Sequence, residues 1–274
     1  MLATWVSVAL LLPGIAVAQA TDEVGHRHMP VERIPSPPGV RAVWLPPADM
    51  LYNNGAVADG TEASCSGDDG NASILQTALG GASLGFNAGS SASLDFRLAD
   101  DFVIPAGPSW AVSSAYLFAY QTGSGNTSTI TGVNVRIWNG PPSNAASTVV
   151  CGDTSSSAMT ATAFSGIFRM ADSALDCSRP IMVETVDLSG CPALASGTYW
   201  IDWQMTGTVN SGPFTPPIVI DGQAATGNAL QADDGVWSPV ADLGNFTGQG
   251  MPFVIAGASA GDAIFNDGFD GTTP

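Results

Sequence analysis

The chain has 274 residues, a net charge of −17 at pH 7 and 7 basic residues, all of them arginine. Its only histidines are His26 and His28, so the rest of the sequence lacks the imidazole of Ser–His and Cys–His nucleophile pairs and of most zinc sites. The strong negative charge opposes binding to nucleic acid, and function is left to carboxylate, hydroxyl, arginine and aromatic groups.

Residues 1–20 have the pattern of a secretory signal peptide. The apolar run at residues 5–18 is shorter than the roughly 20 residues that a membrane-spanning helix needs. Small residues at Ala18 and Ala20 predict cleavage after Ala20. We therefore expect an exported protein, secreted or held in the cell envelope, with no transmembrane segment. A buried N-terminal helix is the alternative interpretation of this run.

Three further parts follow along the chain. Residues 21–50 are rich in proline and predict an extended linker. Residues 51–257 have one uniform texture, in which short β-branched and aromatic runs alternate with Gly, Asn, Ser and Pro clusters, and they predict one domain. Residues 258–274 form an acidic, glycine-rich tail, which we interpret as a flexible end or as a sorting or anchoring segment.

Many short strands are predicted within the domain. They are residues 101–104, 110–120, 131–138, 148–151, 162–170, 181–188, 198–206, 218–220 and 252–256. Residues 73–79 predict one weak helix. Because no long helices alternate with the strands, the pattern predicts an all-β fold, a single jelly-roll-like β-sandwich of about 9–11 strands.

Four cysteines suit an oxidising compartment and predict two disulfides. They are Cys65, Cys151, Cys177 and Cys191. Cys177 and Cys191 are closest in sequence, but the strand predicted between them would have to bend for them to pair. The connectivity therefore stays open among three alternatives. No two of the cysteines have the spacing of a zinc site.

Two of the predicted strands, residues 131–138 and 198–206, place apolar side chains on one face and a mixed set on the other. The mixed set consists of two indoles and four polar side chains, namely Trp138, Trp200, Asn134, Arg136, Asp202 and Gln204. An indole covers the C–H face of a sugar while such polar groups bond its hydroxyls, so these six are the predicted ligand contacts. The alternatives are structural cover, with Arg136 and Asp202 paired, and contact with a partner protein.

Cofactor and enzyme chemistry receive little support from the sequence. No cofactor is expected, although aspartates in loops leave a structural Ca²⁺ site as an alternative. Glycoside hydrolysis needs only two carboxylates, and Glu184, Asp187 and Asp202 are the candidates within strands. Glu184 and Asp187 are three residues apart and face opposite ways on a regular strand. Solvated charges at strand edges are the favoured interpretation, so no catalytic residue is assigned.

Five stretches of the domain, taken in order, resemble a group of uncharacterised secreted bacterial β-sandwich proteins. They are residues 99–107 (ADDFVIPAG), 131–142 (TGVNVRIWNGPP), 179–182 (RPIM), 196–203 (SGTYWIDW) and 227–231 (GNALQ). The resemblance covers residues 51–256 and implies fold and export. It implies no activity and no site residue.

The sequence as a whole favours a secreted, non-catalytic β-sandwich that binds an extracellular glycan or another cell-surface component. One alternative is a structural or adhesive envelope protein with no small ligand. A second alternative is a glycoside hydrolase that works with carboxylates alone. Nucleic acid is not an expected partner because of the negative charge.

Overall fold

The computed structural model describes residues 44–65, 68–91 and 94–260, and within them the chain is all-β. The predicted signal peptide, residues 21–43 of the predicted linker and residues 261–274 of the predicted tail lie outside the described residues. The strands are β1 (Met50–Asn53), β2 (Glu62–Cys65), β3 (Asp68–Leu75), β4 (Phe86–Asn87), β5 (Ser90–Ser91), β6 (Leu94–Ile104), β7 (Trp110–Ala119), β8 (Ile130–Trp138), β9 (Val149–Gly152), β10 (Met159–Ala171), β11 (Pro180–Asp187), β12 (Gly197–Gly207), β13 (Phe214–Thr215), β14 (Leu230–Asp233), β15 (Val236–Pro239) and β16 (Phe253–Ser259). One 3₁₀ helix, η1 (Thr77–Leu79), joins β3 to β4.

The strands form two large sheets and one two-stranded ribbon. The first sheet has the order β1-β16-β7-β11-β10-β3-β2, and the second has the order β15-β14-β6-β12-β8-β9, with β5 added beside β6. The ribbon consists of β13 and β4. Pairing is antiparallel except between β10 and β3, which run parallel. Neighbours in a sheet are often distant in sequence, as β12 lies between β6 and β8.

The inner faces of the two sheets share one hydrophobic core. Leu117 and Phe253 come from the first sheet, while Ile137, Ile201 and Trp203 come from the second, and all five belong to the same buried cluster. This follows from the alternation of side chains along each strand, which turns every second residue inward. Each fully buried side chain of this size contributes roughly 1.5–3 kcal/mol through the hydrophobic effect.

Two disulfides cross-link the chain, Cys65 with Cys177 and Cys151 with Cys191. Cys65 ends β2 at the edge of the first sheet, and Cys177 lies in the connection between β10 and β11. Cys151 is in β9 of the second sheet, whereas Cys191 follows β11 of the first sheet, so this bridge ties the two sheets together. The pairing answers the question that spacing left open, and Cys177 and Cys191 are not partners.

The all-β class predicted from the sequence is confirmed, but several elements differ. The described residues form 16 strands, rather than about 9–11, because many are short edge pieces. The helix predicted at 73–79 is wrong: β3 runs to Leu75 because it pairs with β10, and only Thr77–Leu79 is helical. Ile218 and Val219 bond to Gly250 and Ala56 in loops, so the strand predicted at 218–220 does not form a ladder.

Residues before β1 already pack on the domain, within the segment predicted as linker. The Trp44 ring lies 5.0 Å from the Phe118 ring and 5.8 Å from the Tyr116 ring, on the outer side of the first sheet.

At the C-terminal end of the domain, β16 continues to Ser259, beyond the predicted end of the domain at 257. Within the described ranges, no helix has the length and apolar character needed to cross a bilayer.

Candidate functional site

All six side chains predicted as ligand contacts lie together on the outer face of the second sheet. Strands β8 and β12 are direct neighbours in that sheet. Their register pairs Trp200 with Trp138, Asp202 with Arg136, and Gln204 with Asn134. Directly opposed residues in an antiparallel pair project to the same side, so the six form a block three residues long and two strands wide. We call this block, with Arg97 of β6 and Trp237 of β15, the outer face.

Asp202 is the centre of the polar part of the outer face. Its Oδ1 accepts from Arg97, through Nε at 2.8 Å and also through Nη2. Its Oδ2 accepts from Nε of Arg136 at 2.9 Å and from the indole N–H of Trp138. Four N–H donors therefore hold one carboxylate, which is how a buried charge is retained at low cost.

Arg97 connects this carboxylate to the amides beside it. Its Nη1 donates to the side-chain oxygen of Asn134 and, at 3.4 Å, to that of Gln204. Gln204 in turn donates to Asp95 at 2.6 Å. Burial lowers the pKa of Arg97, and the neighbouring Asp202 opposes that shift. The network is thus continuous from β6 across β12 to β8.

Burial separates the six predicted contacts into two groups. Trp200 is 6% exposed, Asp202 0% and Gln204 5%, so these three lie beneath the surface and a ligand cannot rest on them directly. Asn134, Arg136 and Trp138 are partly exposed. The expectation that all six touch a ligand is therefore corrected: the residues of β8 are accessible, and those of β12 support them.

Trp200 is covered because the apolar side chains of the outer face pack against one another. Ala99, Trp200 and Leu230 form a small buried cluster, and Trp138 and Trp237 pack on it from either side. Trp237 belongs to this face because β15 and β14 extend the sheet beyond β6, with Trp237 opposite Ala232. The result is an apolar strip across the strands, bounded by two partly exposed indoles.

Arg136 lies on Trp138 rather than over open sheet. Its guanidinium carbon is 4.7 Å from the centroid of the Trp138 ring, within the range of a cation–π contact. The side chain is 19% exposed. One face of the Trp138 indole is therefore occupied by a cation, its N–H is bonded to Asp202 and the ring packs on the cluster around Trp200, so only the remaining exposed part of the ring is left for contact.

Arg97 and Trp237 are members of the outer face that the sequence analysis did not identify. The predicted strand began at Asp101, whereas β6 begins at Leu94. Its alternation of Arg97, Ala99 and Asp101 with buried Leu98 and Phe102 would have revealed the longer strand. Trp237 follows the sequence Asp233-Asp234-Gly235, a turn signal between two short runs, which predicts the hairpin of β14 and β15.

The three carboxylates considered for glycoside hydrolysis are not brought together. Glu184 is fully buried on the inner side of the first sheet, opposite Leu117, and burial raises its pKa well above the ordinary 4.5. Asp187 is exposed on the other side of the same strand, and Asp202 lies on the second sheet. The interpretation of Glu184 as a solvated charge is wrong, because its neighbours along β11 and β7 belong to the core.

Metal ligands do not cluster in the part of the chain that the structure describes: it holds no group of three or more His, Cys, Asp or Glu side chains placed to bind an ion. Asp100 is one of the aspartates that the sequence suggested for a loop, but it lies inside β6 and is buried. Burial raises the pKa of Asp100 to about 7, although hydrogen bonds from N–H groups of Met251, Asp101 and Asn54 act in the opposite direction. A structural Ca²⁺ site stays a prediction.

No protein-family model, no curated protein and no solved structure matches the chain.

Proposed function

We propose that this chain is an exported β-sandwich protein that binds an extracellular glycan through its outer face and performs no chemistry on it. The observation that carries the proposal is that Trp138, Arg136 and Asn134 lie on the same face of β8 at the surface, with Trp138 and Arg136 both bonded to the buried Asp202. An aromatic ring beside directional hydrogen-bond donors and acceptors is what a saccharide needs. Rigid strands, rather than loops, present them.

Export is part of this proposal and rests on independent features. Two disulfides join distant parts of the chain, and such bonds persist in oxidising compartments. The apolar run before Ala20 and the resemblance to secreted β-sandwich proteins agree with it. The two facing sheets with one shared core support the sandwich architecture, because sheets that pack face to face bury their inner faces against each other.

The second candidate is a structural envelope protein with no small ligand. It is favoured by the burial of Trp200 and by the packing of Trp138 and Trp237 on one closed cluster. In that case the outer face is a second, smaller core, and its polar network only satisfies buried groups. The two functions differ in what the partly exposed indoles do.

A glycan array separates the two candidates. The mature protein is applied with three variants: Trp138→Ala, Trp237→Ala and, as a matched control, Phe246→Ala. Phe246 is 77% exposed in a loop outside the outer face. Loss of an aromatic contact weakens saccharide binding by roughly 10-fold or more, so we expect Trp138→Ala to lose its array signal and Phe246→Ala to keep it. An array with no signal for the wild type, or an equal signal for all variants, contradicts glycan binding at this face.

A further inference from the structure

Arg136 makes little use of its hydrogen-bonding capacity toward the described residues. A guanidinium has five N–H donors, and Arg136 donates to Asp202 through Nε. Among the described residues, no acceptor is bonded to its Nη1 or Nη2. Arg97, bonded to the same Asp202, differs in that both of its Nη atoms have acceptors.

The guanidinium of Arg136, whose Nη1 and Nη2 have no acceptor among the described residues, is held in position from two sides. Asp202 holds Nε at 2.9 Å, and the ring of Trp138 lies 4.7 Å from the guanidinium carbon. Trp138 is itself anchored to Asp202 through its indole N–H. Little rotamer freedom is left to lose when a ligand arrives, and such pre-organisation raises affinity.

The fork formed by Nη1 and Nη2 matches the two oxygens of a carboxylate or sulfate. Asp202 is shared between two guanidiniums, so the centre of the outer face has one cation more than it has directly bonded carboxylates. Asp95 and Asp101 also lie on this side of the sheet, but on β6, which β12 separates from β8 by about 10 Å.

We infer that Arg136 recognises the anionic group of an acidic sugar, so the ligand of the outer face is a glycan that bears carboxylate or sulfate groups. This inference rests on the proposed binding face and adds the class of its ligand. The indoles of Trp138 and Trp237 contact the rings, and the guanidinium fork of Arg136 pairs with the anion. The overall charge of −17 repels anions at long range, so binding comes from these local contacts rather than from a general attraction.

Titration calorimetry with two probes of equal ring structure tests the inference. The first probe is an oligogalacturonate, and the second is its methyl ester, which has the same rings without charge. The wild type is expected to bind the acid at least about 10-fold more tightly than the ester, since a bidentate charge-assisted pair is lost in the ester. A sulfated galactan oligosaccharide, run in parallel, distinguishes sulfate from carboxylate as the anion.

Four variants identify the group responsible. Arg136→Gln is expected to bind acid and ester equally, and Arg136→Lys to keep part of the preference, because an ammonium is a point charge without a fork. Trp138→Ala is expected to lose both probes. Arg41→Gln, which changes the net charge by the same amount outside the described residues, is expected to behave like the wild type. Circular dichroism verifies that each variant is folded before titration.

The outcomes separate this inference from the proposed function. Equal binding of acid and ester by the wild type, with loss of both in Trp138→Ala, overturns the acidic ligand and leaves glycan binding intact. Binding of neither probe nor the sulfated one overturns the acidic ligand, and if the glycan array also gives no signal for the wild type, the proposed function is overturned with it. If poly-glutamate binds as tightly as the oligogalacturonate, the inference of a sugar ligand is overturned, because the guanidinium of Arg136 then binds any carboxylate.

Discussion

Asp202 and Glu184 are both fully buried carboxyl groups on strands, but their surroundings are opposite. Asp202 accepts four N–H donors from Arg97, Arg136 and Trp138. Glu184 accepts from Thr162 at 3.4 Å through Oε1, and its Oε2 has no partner among the described residues. Burial with donors retains a charge and organises the groups around it. Burial with few donors favours the protonated form of the carboxyl group instead.

The two carboxyl groups differ in what surrounds them: a network that reaches the surface in one case and the apolar core in the other. The donors of Asp202 extend to the surface of the second sheet, where Arg136 and Trp138 are accessible. Glu184 faces the core between the sheets, where its neighbours Leu117 and Met182 are apolar. The same carboxyl chemistry thus organises the proposed binding surface in one region and is a pH-sensitive weakness in the other.

The largest effect is expected from removal of the charge at Asp202. Asp202→Asn leaves two guanidiniums facing a neutral amide, and breaking a buried ion pair typically destabilises a protein by about 3–5 kcal/mol. Urea unfolding at pH 7 measures the change. Asp187→Asn is the matched control, because that carboxylate is exposed and its substitution is expected to change stability far less. Equal stability of the two variants would refute the role of Asp202 as an organising charge.

The next largest effect is expected at Glu184, where a substitution should raise the stability of the protein instead of lowering it. In the native state Glu184 binds a proton that the unfolded chain releases above pH 4.5, so wild-type stability falls as pH rises from there towards the raised pKa. Glu184→Gln removes this dependence. Keeping this carboxyl group protonated above pH 4.5 costs the wild type stability that the neutral amide of Gln does not lose, so Glu184→Gln is expected to be the more stable protein at pH 7.5.

Urea unfolding from pH 4.5 to pH 8 measures that gain. The stability difference between Glu184→Gln and the wild type should widen with pH by at most about 1.4 kcal/mol per unit. Asp100, whose pKa of about 7 also lies above its ordinary value, contributes a similar slope to both proteins and cancels in the difference. A difference that stays constant across this range would show that Glu184 is ionised in the native protein.

The smallest effect is expected at Arg136. Arg136→Gln loses one hydrogen bond and a partly exposed ion pair, so stability should fall by about 1 kcal/mol or less. Arg97→Gln, the buried counterpart, should lose about 2–3 kcal/mol because its three nitrogens all bond within the network. Thermal unfolding of both variants gives the comparison. A loss at Arg136 as large as that at Arg97 means that Arg136 is structural and not kept for a ligand.

The alternation of residues along single strands is what made the outer face predictable. The patterns of β8 and β12 assign Trp138, Arg136, Trp200 and Asp202 to non-core faces without any knowledge of their neighbours. That β8 and β12 are adjacent is a matter of non-local pairing, since three other strands separate them along the chain. Sequence alternation does not report such pairing.

The alternation of residues along a strand does not predict how deeply each side chain is buried. Asp202 is covered because Arg97 arrives from a third strand, β6, and Trp200 because Leu230 arrives from a fourth, β14. Glu184 stands at a core position of β11, which its spacing from Asp187 allowed but did not require. The disulfide pairs are likewise set by the sheet order, and cysteine spacing left three alternatives open.

The binding role of the outer face can be tested most directly by the indole N–H resonances of the tryptophans in ¹⁵N-labelled protein, followed as oligogalacturonate is added. Trp138 donates its indole proton to Asp202 beside Arg136, while Trp44 lies on the other sheet against Phe118. We expect the Trp138 and Trp237 resonances to shift in a saturable way and the Trp44 resonance to stay in place. Unchanged Trp138 and Trp237 resonances, or a shift confined to Trp44, would contradict a binding site on the outer face.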